Sequence, residues 1–80
     1  MTIEELRLVV EAAKPKISEL SQAASSLEEF TNFVWDMIKP ENEMAGTIDV
    51  DQFIAIQVPI YNARIARVQA AISDLIGALQ

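Results

Sequence analysis

Apolar residues recur at alternating spacings of three and four along two long stretches of this chain, and this repeat constrains the fold most. Of the 19 positions in the two runs, 18 are apolar, whereas a composition that is 51% hydrophobic would place roughly ten there by chance. A repeat averaging 3.5 residues keeps one side of a helix facing a neighbouring helix along its whole length. The chain is therefore predicted to be all-α, with two long helices packed side by side.

The positions beside this repeat help to choose an assembly. On the second helix they are mostly small or neutral, whereas a parallel two-stranded coiled coil usually carries paired charges there. We therefore expect a long, kinked, coiled-coil-like antiparallel hairpin that dimerises into a four-helix bundle, with a monomeric three-segment bundle as the alternative. The predicted self-association seam contains Ile17, Leu20, Leu27, Ile65, Val68, Ile72 and Leu75.

Local signals divide the 80 residues into two helices of a single domain. Thr2 followed by Glu5, and Asp49 followed by Gln52, have the spacing of capping boxes at helix starts. Lys39–Pro40 should end the first helix, because proline lacks an amide donor and disfavours helical geometry in the preceding residue. The prediction is a helix over about 2–38 kinked near Pro15, an acidic loop over about 39–48, and a helix over about 49–79 kinked near Pro59.

Missing residue types argue against catalysis. The chain has no cysteine and no histidine, so it lacks a thiol nucleophile, the commonest general base and the commonest metal ligands. We expect a non-catalytic protein with no catalytic residues, no metal site and no cofactor. The N-terminus does not resemble a signal peptide, and the longest uncharged stretch, 52–63, is too short to cross a membrane. A cytoplasmic location is therefore expected.

Charge is distributed unevenly. Residues 28–51 contain seven acidic residues and one lysine, which accounts for the whole net charge of −6, and the rest of the chain is balanced. The six basic residues form no phosphate-neutralising cluster, so we expect no direct binding to nucleic acid. Arg64 and Arg67 are expected to lie on a solvated face. The acidic segment favours a basic surface on a partner protein.

Five large apolar side chains lie within this acidic segment or just after it. Successive helical residues point 100° apart, so these side chains cannot all face one seam. Either a dimer or a folded-back loop covers them, or some stay open as an anchor for a partner protein. The candidate partner-binding residues are Phe30, Phe33, Trp35, Met37 and Phe53, together with Glu41, Glu43, Asp49 and Asp51.

The segment Gly46–Phe53 resembles the second half of an EF-hand calcium loop, with its glycine, the isoleucine two residues on, and the closing phenylalanine. The resemblance implies a calcium-responsive module. Glu41, Glu43 and Ala45 would fill the first three ligand positions, and Gln52 stands where that family places a bidentate glutamate. The other interpretation is an acidic turn followed by a capped helix.

Three functions are compatible with these patterns. The leading hypothesis is a small acidic helical regulator or inhibitor, of the kind encoded by phages and mobile elements, that binds a basic surface and could mimic nucleic acid. The second is a structural coiled-coil oligomerisation module or a subunit of a larger assembly. The third is a degenerate EF-hand-like calcium module.

Overall fold

The computed structural model describes residues 1–80 as two long antiparallel helices joined by a short turn. Helix α1 covers Ile3–Ile38, a 3-10 helix covers Glu43–Thr47, and helix α2 covers Val50–Leu79. The two long helices pack against each other and no strand is present, so the predicted all-α hairpin is confirmed. Neither α1 nor α2 has the length and hydropathy that a membrane-spanning segment requires.

Side-chain caps begin both helices, as their spacing predicts. Thr2 Oγ1 accepts a hydrogen bond from the backbone N–H of Glu5 at 3.1 Å. Asp49 Oδ1 accepts one from the N–H of Gln52 at 3.2 Å. Each cap satisfies one of the amide donors that the first turn of a helix leaves without an intrahelical partner.

Both internal prolines lie within continuous helices. Pro15 is part of α1 and Pro59 is part of α2, and both residues are exposed. The heptad pattern continues across each of them, so the packing of each helix continues beyond the proline. The chain consequently forms two long helices and not three shorter segments.

The hairpin is a thin rod with almost no interior. Its extents are 62 × 22 × 13 Å and its radius of gyration is 18.6 Å, whereas a compact domain of this length has a radius of about 12 Å. Only four residues are buried, namely Ala13, Ala23, Phe30 and Ala71. One layer of side chains between two helices is therefore the whole hydrophobic contact that a single chain makes.

The helices are unequal in length, so α1 extends beyond α2 at the open end. Phe30 lies beside Tyr61 and Ser26 beside Arg64, so residues whose numbers add to about 90 face each other. At this register α2 ends level with roughly residue 12 of α1, and residues 3–11 project by ~13 Å. We call these nine residues the overhang; all of them except the half-buried Val9 are exposed.

Candidate functional site

The contact between the two helices is made by side chains spaced mostly three and four apart, and it mixes small, polar and large apolar residues. Several of them are alanines, which let the helix backbones approach closely. Gln57 also belongs to this set, and its Oε1 atom is buried without a hydrogen-bond partner. The buried or half-buried residues at the contact are Ala13, Lys16, Leu20, Ala23, Ser26, Leu27, Phe30, Val34 and Met37 of α1, and Gln57, Tyr61, Arg64, Val68, Ala71, Leu75 and Ala78 of α2.

This contact within the hairpin contains only part of the predicted self-association seam. Leu20, Leu27, Val68 and Leu75 are half-buried at the contact. The other seam residues lie outside it: Ile17 is 54% exposed, and Ile65 and Ile72 are each 41% exposed. The residue preceding each of them, Lys16, Arg64 or Ala71, is buried or half-buried at the contact instead.

The displaced residues form one continuous apolar face. On both helices they follow the contact residues by one position, a rotation of about 100° in the same sense along each chain. Because the helices are antiparallel, equal rotations bring both rows to the same side of the hairpin. This apolar face contains no charged residue and consists of Ile3, Val10, Ile17, Ala24, Thr31, Ile38, Val58, Ile65, Ile72 and Leu79, all of them exposed.

Five residues in the half of the hairpin nearer the turn hold the helices together, and we call them the interhelical clamp. Phe30 packs edge-on against Tyr61 with ring centroids 4.8 Å apart, and the Tyr61 hydroxyl donates to Thr31 Oγ1 at 3.1 Å. The Arg64 guanidinium lies 5.0 Å from the Phe30 ring centroid and donates to the Ser26 carbonyl oxygen at 2.8 Å. Arg64 is therefore half-buried, which differs from the solvated position expected for it, whereas Arg67 is exposed.

Asn42 organises the turn between the helices. Its Nδ2 donates to the carbonyl oxygens of Asp36 at 2.9 Å and Met37 at 3.1 Å, which are among the last of α1. Its Oδ1 accepts from the N–H of Met44 at 2.9 Å and so caps the 3-10 helix. One amide side chain thus satisfies groups at the end of one helix and the start of the next.

An apolar pocket of about 390 Å³ opens at the turn end of the hairpin. It adjoins the apolar face, because Ile38 belongs to both. Four exposed acidic residues surround it in the sequence: Glu41, Glu43, Asp49 and Asp51. Its lining residues are Ile38, Ala45, Ile48, Val50, Phe53 and Ile54.

The aromatic residues near the turn do not form one patch. Phe30 is buried in the clamp, and Met37 and Phe53 are half-buried. Phe33 and Trp35 are 57% and 54% exposed, but two helical steps turn them to opposite sides of α1. Trp35 follows Thr31 by four residues and precedes Ile38 by three, so it borders the apolar face.

The calcium-loop resemblance has no counterpart in a cluster of ligands. Glu43 to Thr47 form a 3-10 helix, and the Asp49 carboxylate caps α2. No group of three or more acidic side chains is close enough to hold a metal ion. The local geometry is that of an acidic turn followed by a capped helix.

Pocket residues Ile48 and Val50, as well as Asn42, are functional candidates that the spacing arguments did not single out. An asparagine two residues after a Lys-Pro helix stop is a signal that could have identified Asn42, because asparagine side chains often bond to nearby backbone groups in turns. Comparisons with protein-family models, curated proteins and solved structures find no match for this chain.

Proposed function

We propose that this chain is a non-catalytic protein–protein interaction module that associates with a second copy of itself through the apolar face. The observation that carries this proposal is the contrast between four buried residues and an uncharged apolar face that spans both helices. Monomeric proteins rarely expose a contiguous apolar surface of this extent. A small chain with so little buried surface gains a core when two copies combine.

The exposed area supports the same conclusion. The hairpin exposes 6020 Å², whereas a compact monomer of this mass exposes about 4,800 Å². The excess of roughly 1,200 Å² is larger than the ~800 Å² that each partner contributes to a standard interface. The apolar face carries no charge, so two identical faces can meet without like-charge repulsion.

Light scattering on the eluting protein tests this proposal by measuring the mass in solution. We expect twice the mass of one chain at micromolar concentration. Ile72→Asp, which puts a charge on the apolar face, should weaken association at least tenfold. Ile56→Asp is the matched control, because Ile56 is also exposed but lies off that face. A monomeric wild type, or equal behaviour of the two variants, would refute self-association through this face.

A second role, binding of a basic surface on another protein, is favoured by the acidic turn end. All seven acidic residues of the segment 28–51 are exposed, and the only ion pair there joins Lys39 to Asp36 at 3.4 Å. An excess of exposed charge of one sign steers oppositely charged partners and makes their binding sensitive to salt. This role fits a small acidic regulator or inhibitor.

A salt-dependent pull-down tests this second role. The turn variant would neutralise Glu41, Glu43 and Asp51 as glutamine or asparagine, leaving the capping residue Asp49 intact. The charge-matched control neutralises Glu4, Glu5 and Glu11 at the other end of α1. A partner retained by the wild type and the control but lost with the turn variant supports the role. Equal retention by both variants contradicts it.

A further inference from the structure

We infer that the two copies lie antiparallel, with their turn ends at opposite poles, and that the overhang of each copy covers the turn-end pocket of the other. This inference rests on the proposed self-association and adds the orientation of the copies and the occupant of the pocket. Two features of the structure lead to it: the segregation of charge and the unequal length of the helices.

The uneven distribution of charge favours the orientation with turn ends at opposite poles over the one with turn ends together. If the turn ends lay together, two segments of net charge −6 would be adjacent along a bundle only a few helices wide. If the turn ends lie at opposite poles, the acidic residues of the two turns (Glu41, Glu43, Asp49 and Asp51 of each copy) are separated by most of the 62 Å length of the rod. That distance is many times the screening length of about 8 Å at physiological salt. Each turn end then lies beside the partner's overhang, whose net charge is −2, and not beside a second segment of net charge −6.

The overhang and the pocket complement each other in this orientation. The overhang has no α2 beside it, and it exposes Ile3, Leu6 and Val10 together. The pocket is open, entirely apolar in its lining, and lies at the opposite end of the same helix. When two α1 helices overlap fully and run in opposite directions, Ile3 of one copy lies level with Ile38 of the other. The overhang of one copy then covers the pocket of the other, and its apolar side chains pack next to the apolar face of that copy.

Orientation can be measured with a single spin label, because the chain contains no cysteine. Glu43→Cys places a label on an exposed residue of the turn. At a concentration where light scattering shows a dimer, the opposite-pole arrangement gives a label-to-label distance of about 60 Å or more. A distance near 20–30 Å would overturn the inferred orientation while leaving self-association intact. A monomeric mass would instead refute the proposed function.

Trp35 reports whether the overhang reaches the other turn end, since it is the only tryptophan and borders the apolar face. Leu6 and Trp35 of one chain are ~44 Å apart along α1, so only a second copy can bring them together. We expect Leu6→Asp to shift Trp35 emission to the red or to dissociate the dimer. Leu8→Asp is the control, because Leu8 lies on the outer side of the overhang and is 71% exposed. A Leu6→Asp dimer with unchanged emission would overturn the assignment of the pocket's occupant.

Discussion

The Arg64 guanidinium lies 5.0 Å from the ring centroid of Phe30, across the contact between the two helices. The same group donates to the carbonyl oxygen of Ser26, so one side chain of α2 binds α1 through both an aromatic ring and the backbone. Phe30 is the only large side chain among the buried residues. The clamp therefore adds directional contacts to an interface whose other buried residues are all alanines.

Replacement of Arg64 should destabilise the hairpin. Arg64→Ala removes a cation–π contact and a charged hydrogen-bond donor, and we expect a loss of about 1–2 kcal/mol in the free energy of unfolding. Arg64→Lys should lose less, because the charge over the ring is retained. Denaturant unfolding followed by circular dichroism at 222 nm measures both. Arg67→Ala, an exposed arginine one turn away, should be nearly neutral, and an equal loss there would contradict the role of the clamp.

Ala23 should not tolerate enlargement. It is the most deeply buried residue at the helix contact, so Ala23→Leu would force the helices apart and destabilise the protein by about 1–3 kcal/mol. Thermal unfolding at fixed protein concentration provides the measurement. The control is Ala12→Leu, because Ala12 is exposed on the same helix. If the two substitutions have the same effect, close approach at Ala23 is not required.

Asn42 should set the stability of the turn. Asn42→Ala removes three hydrogen bonds to backbone groups of Asp36, Met37 and Met44, with an expected loss of about 1–2 kcal/mol. Asn42→Asp keeps the acceptor for Met44 but loses both donors and adds a negative charge near the C-terminus of α1, where the helix dipole disfavours it. It should therefore be no more stable than Asn42→Ala.

Chemical denaturation of the two Asn42 variants and of Asn32→Ala tests this prediction. Asn32 is exposed and its side chain makes no hydrogen bond, so its replacement should leave stability nearly unchanged. An Asn42→Asp protein as stable as the wild type would show that the two donated hydrogen bonds contribute nothing.

Gln57 offers a stabilising substitution. Its Oε1 atom is buried at the helix contact and accepts no hydrogen bond within the hairpin. Gln57→Met keeps a similar side-chain volume and removes this unsatisfied oxygen, so we expect a gain of about 1 kcal/mol. Differential scanning calorimetry should show a higher unfolding temperature than for the wild type and for the exposed control Gln69→Met. A lower temperature would show that the second copy or a water molecule satisfies Gln57.

The ends of the helices could be predicted from sequence because the signals that specify them are local. Thr2 and Asp49 cap amides three residues ahead, and Lys39–Pro40 follows the last residue of α1. Each signal depends on neighbouring residues alone, and no knowledge of the partner helix is needed to interpret it.

The side on which the helices meet could not be predicted in the same way. Each helix has two adjacent apolar rows that share residues such as Leu20 and Val68, and a heptad pattern is satisfied by either row. An alanine-containing row lets two helices approach more closely than an isoleucine-containing row does. Which row forms the contact therefore depends on the residues of both helices at once. The position of Arg64 over Phe30 was inaccessible for the same reason, because these residues are far apart in sequence.

The register of the hairpin determines how far apart in sequence its contacts are. Phe30 meets Tyr61 across 31 residues, whereas Glu19 and Asp74, which line one cavity nearer the open end, are separated by 55. Each layer added away from the turn therefore closes a longer loop than the one before it. The contacts nearest the turn should consequently form first during folding, and those near the two termini should open first.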